Sequence, residues 1–278
     1  MTVSVILPTL NAERWIADQL AALAAQSYSD EWELIVADNG SVDNTRSVAL
    51  RSRSRFPRFA LIDATGIRRP AHARNEGARA ASGDLLLFAD ADDIVCRDWI
   101  DRLSDCLRDS PIVTGPVEHF ADDRKVGVSE AHRPREHPRI GPFDSLTGGN
   151  MGMTRELFSE LGGFDETLSF GWSDFDIGVR ANLLGIRVGW VEQAIVRRRR
   201  PSSVRAMWRK EFTYGRGWTT LERRYPQLSP RGWRPLFERA AWIALRAPYI
   251  ALSDRRRGWV VKAAQLAGRL MERVHPSP

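Results

Sequence analysis

Four apolar residues, Leu85 to Phe88, run straight into three aspartates, Asp90, Asp92 and Asp93, in the stretch GDLLLFADADD. The apolar run reads as a buried strand. Burial does not explain the acids at its end, because like charges that close repel, and more strongly in a low-dielectric interior. A positive partner is required there. A divalent cation is the economical one, since hard cations take carboxylate oxygens.

The same pattern recurs along the first half of the chain. VSVILP (Val3 to Pro8), ELIVAD ending at Asp38, and RFALID read as strands. Between them lie helical stretches. Asn11 can cap the first, whose Ile16, Leu20 and Leu23 share a face. The turn NGSVDNT leads into a short second helix through about Leu50, and PAHARNEGARAASG is an alanine-rich third closed by Gly83. Strands alternating with helices imply βαβ units and a mostly parallel sheet. Ligands of such sheets bind beyond the carboxyl ends of the strands. Thr9, Asn11, Glu13, Asp38, Asp90 and Asp92 all follow strand ends, which predicts one shared pocket.

The alternation fades after Pro111. PIVTGPVEHF reads as a strand and residues 121–142 as a long polar loop. TGGNMGMTRELFSELGGF gives a glycine turn, a short strand and a helix from about Thr154 that stops at Gly162-Gly163. GWSDFDIGVRANLLG is a further helix. Asp174 and Asp176 fall in its first turn, where the helix dipole favours acids, so Asp176 has a structural reading beside a functional one. VRRRRP reads as a solvated charge run. The tail from Ser202 is helical and rich in tryptophan. It sets Lys262, Gln265, Arg269 and Glu272 against Val261, Leu266 and Leu270, an apolar face that suits core packing or a membrane surface.

At 278 residues, 43% hydrophobic and 27% charged, the chain can build a sizeable core. The net charge of +6 is carried almost wholly by arginine, since the lysines are only Lys125, Lys210 and Lys262. Arginine suits phosphate groups, although a compositional bias gives the same excess. The two cysteines, Cys96 and Cys106, read as reduced thiols. The start lacks a signal-peptide pattern, and no stretch approaches the roughly eighteen apolar residues of a membrane span. The expected location is cytoplasmic, with peripheral contact at the inner membrane face.

SVILPTLNAE, VADNGSVDNT, ARNEGARAASGDLLLFADADD, GGNMGMTRELFSELGGFDE and WSDFDIGVR occur in that order. Together they resemble the family-2 glycosyltransferases, with a GT-A fold, over roughly Val3 to Gly217. The resemblance implies an α/β, Rossmann-like, mostly parallel sheet flanked by helices in residues 1–217, and a helical C-terminal extension in 218–278. It implies transfer of a sugar, with inversion, from a nucleotide-diphosphate sugar to a hydroxyl of a glycan or lipid-linked acceptor. Pro8, Thr9, Glu13, Asp38, Asp43, Arg74, Asn75 and Asp90 match the nucleotide-binding positions. Asp90 and Asp92 match the Asp-X-Asp pair that holds Mg2+ or Mn2+. Asp174 matches the catalytic base. Gly149, Asn150, Trp172 and Asp176 fall where sugar and acceptor are expected, and nucleic acid is not an expected partner.

Two features depart from the family pattern. Ser173 stands where Glu usually precedes the base, and no histidine follows at the place of the later metal ligand. Arg197 or Arg199 could meet the diphosphate there instead, or water could fill the position. Three other readings compete: a nucleotidyltransferase of similar fold, a degenerate transferase, and a non-enzymatic binder of anionic polymer or lipid. The last leaves the aspartates unexplained.

Overall fold

A computed structural model describes residues 1–120, 136–199, 203–228, 240 and 256–276. Most of the loop expected over residues 121–142 lies outside these. The chain divides into two compact units. The first comprises Met1–Arg139, Phe143–Glu166 and Ser173–Arg199, and the second Ile140–Pro142, Thr167–Trp172 and Arg200–Pro278.

In the first unit the elements run β1 (Val3–Thr9), α1 (Ile16–Ala24), β2 (Trp32–Asp38), α2 (Thr45–Arg51), β3 (Arg58–Asp63), α3 (Pro70–Ala80), β4 (Leu85–Ala89), β5 (Asp93–Val95) and α4 (Trp99–Cys106). There follow β6 (Ile112–Thr114), β7 (Val117–Phe120), β8 (Arg139–Ile140), β9 (Phe143–Asp144), β10 (Asn150–Thr154), α5 (Arg155–Glu160), α6 (Ser173–Leu183), β11 (Gly189–Trp190) and β12 (Val196–Arg199), with Ile140 counted in the second unit. Seven strands form the main sheet in the order β11-β6-β10-β4-β1-β2-β3. The strands around β1 are parallel, while β10 enters antiparallel between β4 and β6.

The unbroken apolar runs follow from this architecture, because a parallel sheet is covered on both faces. Val5, Leu7, Leu34, Val36 and Leu87 join one core layer with Leu20, Trp99 and Leu103. Their strand neighbours Ile6, Ile35, Leu86 and Phe88 join the opposite layer with Met151, Met153 and Ile177. Register then sets the site. Thr9 pairs with Asp38 at the carboxyl ends of β1 and β2. Ile6 pairs with Phe88, so Pro8 and Asp90 each lie two residues beyond the last paired position of β1 and β4.

Three local expectations change. Asn11 does not cap α1; it sits at φ +50° and its side chain accepts from the Val42 N–H at 2.9 Å, while the helix begins only at Ile16. The segment expected as one strand, PIVTGPVEHF, splits at Gly115-Pro116 into β6 of the main sheet and β7 of a smaller one. A side chain at Gly115 would strike the Ala194 backbone, so the chain turns where only glycine fits. Arg197 to Arg199 of the arginine run lie in a strand rather than a solvated patch: β12 lies between β5 and β7 in a three-stranded sheet. Further along, α5 starts as expected, with the Thr154 hydroxyl accepting from the Leu157 N–H at 3.2 Å, and Gly162 and Gly163 stop it at φ +70° and +74°.

The second unit holds α7 (Val204–Arg224) and α8 (Arg256–Val274), packed against each other. Gly217, the expected domain boundary, falls inside α7. Leu266 on the apolar face of α8 is buried with Leu270 packed against it, as expected, and the polar face is also covered. Gln265 donates to Glu211 at 2.8 Å, Arg269 pairs with Glu222, and Glu272, 1% exposed, receives Arg216 at 2.9 Å. The polar stripe therefore meets the charged groups of α7, because both helices carry complementary charges on their facing sides. Gly215 and Gly268 sit at the crossing, where a Cβ on either would strike the partner backbone.

One ion pair anchors α6. Asp176 is fully buried and accepts from Arg180 Nε at 2.8 Å, and the same guanidinium donates to the Leu161 and Gly163 carbonyls that end α5. Breaking such a pair strands a buried charge, at a cost of about 3–5 kcal/mol. Arg180→Met is thus expected to lower unfolding free energy by about 3 kcal/mol, measured by urea denaturation. A loss under 1 kcal/mol would show that the pair does not hold α6 in place.

Candidate active site

The loops after β1 and β2 are tied to each other. Asn44 donates to Glu13 through its backbone at 3.1 Å and its side chain at 2.7 Å, and the Glu13 N–H donates back to Asp43 at 3.1 Å. Against the burial that opposes ionisation, hydrogen bonds from Thr45 hold the Asp43 carboxyl below its usual range. Asp38, 1% exposed at the end of β2, accepts from the Thr9 hydroxyl at 3.3 Å, the Ser41 N–H at 3.2 Å and Arg46 at 3.1 Å. Pro8, Thr9, Glu13, Asp38 and Asp43 thus line the carboxyl ends of two adjacent strands, as their positions predict.

The charge problem at the end of β4 is met by guanidinium groups. Arg74, 7% exposed on α3, donates to Asp90 Oδ1 at 2.6 Å. Arg198 on β12 donates to Asp90 Oδ2 at 3.3 Å and clamps Asp93 from Nε at 3.0 Å and Nη2 at 2.8 Å. Asp93 has no exposed side-chain surface; burial pushes its carboxyl up to about 7 against the pull of Arg198. Asp92 stands in the turn between β4 and β5 and is the exposed one of the three. The arginine that reaches the aspartates is therefore Arg198, not Arg197 or Arg199. Strand alternation explains this, since neighbours on β12 face opposite ways. Arg197 stacks on Phe120 at 5.0 Å, and Arg199 lies over Trp15 and Phe120 and pairs with Asp18. The sequence reading put an arginine of this run at the diphosphate and did not foresee one paired with the aspartates.

Two glycines join this cluster to Asp174. The Gly148 N–H donates to Asp174 Oδ2 at 2.8 Å, and the Phe175 N–H to Oδ1 at 2.9 Å. A Cβ on Gly148 would lie 3.0 Å from Arg74 Nη2, and one on Gly149 would lie 2.7 Å from both Asp90 Cγ and Arg198 Nη2. Only a bare backbone approaches so closely. The partly exposed Asp174 carboxylate is thereby fixed at one end of a glycine strip whose other end abuts Asp90.

Three expected site residues of the first unit are not brought into this cluster. Asn75 clamps the turn after α5, bonding Phe164 through both its amide groups at 2.9 Å and Glu166 at 2.6 Å. Asn150 is fully buried, accepting from the Trp99 indole at 2.8 Å and donating to the Pro116 and Ala194 carbonyls. These bonds stitch β10 to α4 and to the turn before β7. Asp176 is the buried partner of Arg180 described above. Trp172 belongs to the second unit, at φ +70°, with its indole donating to the Tyr214 carbonyl and its ring 5.2 Å from Trp218. Asn75 also borders an open depression of about 640 Å³ with Arg79, Phe158, Phe164 and Glu166, which Asp90, Asp92 and Asp174 do not line.

Asp90 and Asp92 fit Mg2+ or Mn2+ in its sparest form, in which one or two carboxylates hold the ion and water and substrate phosphates complete it. Among the described residues no group of three or more His, Cys, Asp or Glu side chains could enclose an ion by itself.

Residues 4–162 match the family described as Glycosyl transferase family 2, and residues 139–268 match Glycosyl transferase family group 2. The glucosyltransferase WfgD of Escherichia coli, named for UDP-Glc and GlcNAc-diphosphoundecaprenol, is 38% identical over 98 residues, 35% of this chain and 36% of WfgD. Glycosyltransferase AglE of Haloferax volcanii is 25% identical over 96% of this chain and 95% of AglE. The match to YfnE of Bacillus subtilis spans only 25% of that protein. Among solved structures, mannosyltransferase PcManGT of Pyrobaculum calidifontis, in complex with GDP-Man and Mn2+, superposes with a TM-score of 0.70 at 21% identity, over 99% of this chain and 88% of PcManGT. TarS of S. aureus superposes at 0.57 with 18% identity, over 97% of this chain and 54% of TarS. The fold is that of the GT-A glycosyltransferases, and the chain belongs to glycosyl transferase family 2.

Proposed function

We propose that this chain moves a sugar from a nucleotide-diphosphate sugar to a hydroxyl acceptor, inverting the anomeric configuration. The observation that carries the reading is the glycine strip. It holds one carboxylate, Asp174, by backbone N–H groups, and places its other end against a second carboxylate, Asp90, that is compensated by two arginines. Group transfer needs that division: one acid to accept a proton and another to manage the charge of the leaving group.

The residues then take these parts. The loops of Thr9, Glu13, Asp38 and Asp43 receive the nucleoside. Asp90 and Asp92 would hold Mg2+ or Mn2+, which when bound supplies positive charge to the departing diphosphate. Arg74 keeps Asp90 in place. Asp174 takes the proton of the acceptor hydroxyl as its oxygen attacks the anomeric carbon and the bond to the diphosphate breaks. The backbone donors on both Asp174 oxygens orient the carboxylate, and Ser173 beside it adds no second negative charge.

The acceptor in this reading is a glycan or lipid-linked sugar, supported by the acceptor named for WfgD. No described helix is long and apolar enough to cross a membrane. The start of α7 offers a surface for peripheral contact. Val204 is 59% and Trp208 40% exposed there, beside the exposed Arg205 and Arg209, a pairing that suits an anionic lipid surface.

Three outcomes are expected. Calorimetry with UDP, GDP and dTDP, each with Mn2+, finds one nucleotide that binds; binding of none refutes the donor site. Asp174→Asn lowers kcat by about 10²–10⁴-fold while leaving that nucleotide's affinity unchanged; near-normal turnover would remove Asp174 as the base. In flotation with anionic liposomes the protein rises with the vesicles and Trp208→Ser reduces this; a wild-type protein that stays below them refutes membrane contact.

A further inference from the structure

The three aspartates after β4 are held in a way that bears on how a cation would enter. Both oxygens of Asp90 face guanidinium groups, Arg74 at 2.6 Å and Arg198 at 3.3 Å. Asp93 is sealed from solvent beneath Arg198. A cation approaching the protein alone meets carboxylates whose charge two arginines already offset, and it is repelled by those same arginines. The two are not equally fixed. The Arg74 side chain is 8% exposed and its contact is short; the Arg198 side chain is 21% exposed and its contact with Asp90 is the longer. Arg198 also comes from the last strand of the first unit, and its Asp93 clamp would hold it nearby if Asp90 were released.

We propose that Arg198 is a built-in placeholder for the divalent cation. It occupies Asp90 and Asp93 while the site is empty, keeps the affinity for metal alone low, and so makes the cation enter together with the nucleotide diphosphate, whose negative charge takes over the pairing with the guanidinium. Arg198 acts here as a positioning residue, through Asp90. The coupling to nucleotide rests on the donor-site reading above; the effect of Arg198 on metal alone does not.

The test is Mn2+ binding to the full chain, followed by electron paramagnetic resonance and calorimetry, without nucleotide and with the best-binding one of UDP, GDP and dTDP. In the wild type, Mn2+ binds at least about tenfold more tightly with the nucleotide than without it. Arg198→Gln removes the guanidinium from Asp90 Oδ2 and Asp93 and tightens binding of Mn2+ alone by about tenfold or more. Arg198→Lys keeps the charge but lacks the fork that spans both carboxylates, and gives a smaller tightening. A merely structural arginine would leave metal affinity unchanged or lower it. Equal or weaker binding of Mn2+ alone in the folded variants overturns the proposal, as does a wild type that binds Mn2+ equally well with and without nucleotide. Should Arg198→Gln fail to fold, the lysine variant and the wild-type comparison decide. Absence of any nucleotide binding would remove the donor reading, while the measurements with Mn2+ alone would still judge Arg198.

Discussion

Three carboxylates at the end of one buried strand cannot stand without compensation, and the site is organised around that constraint. Strand β4 is apolar because both its faces are covered, so its end emerges from a low-dielectric core. Asp90 and Asp93 are then paired by cations from distant parts of the chain, Arg74 on α3 and Arg198 on β12. The pairing fixes more than charge. It binds the small sheet of β5, β12 and β7 to the end of the large one, and it leaves so little room that Gly148 and Gly149 must pass as bare backbone. Because they pass so closely, the Gly148 N–H is available to Asp174. The position of the Asp174 carboxylate, the proposed base, thus follows from the electrostatics of the aspartate turn.

The sequence made the main sheet legible because its strands obey a local rule. Val3 to Pro8, Glu33 to Asp38 and Leu85 to Phe88 are apolar runs of strand length, each closed by polar residues, and parallel pairing puts those closures on one edge. Thr9, Asp38, Asp90 and Asp92 could be grouped before any contact was known. What stayed hidden depends on partners far along the chain. Asn75 and Asn150 sit in motifs that suggest ligand contact, yet their amides are taken up by Phe164, Glu166, Pro116 and Ala194. An isolated polar residue in a motif does not reveal whether it faces a ligand or a buried carbonyl.

The arginines show the same limit from another side. Four in a row carry no periodicity, so composition reads them as a surface. Once Arg197 to Arg199 form a strand, alternation sends Arg198 to the aspartates and Arg197 and Arg199 to Phe120 and Trp15. Register with β5, in which Arg198 lies opposite Asp93, makes that choice. In α8 the apolar face packs as its periodicity suggests, with Leu266 buried and Leu270 against it, but the polar face is covered too, because α7 offers Glu211, Glu222 and Arg216 as partners. Hydrophobic patterning finds the apolar inward face but not a second, polar face that a charged neighbour covers.

These arginine placements also weigh on the competing account of the chain as a binder of anionic polymer. That account needs guanidinium groups presented together to solvent. Arg74 and Arg198 are instead engaged by carboxylates, and Arg199 is stacked on aromatic rings with 9% of its side chain exposed. At the aspartate turn the guanidinium groups of Arg74 and Arg198 are directed to carboxylates rather than outward. A transferase accounts for the same residues with fewer assumptions. In the proposed transfer the aspartate turn would hold the cation, and Asp174, fixed by the Gly148 N–H, would act as the base.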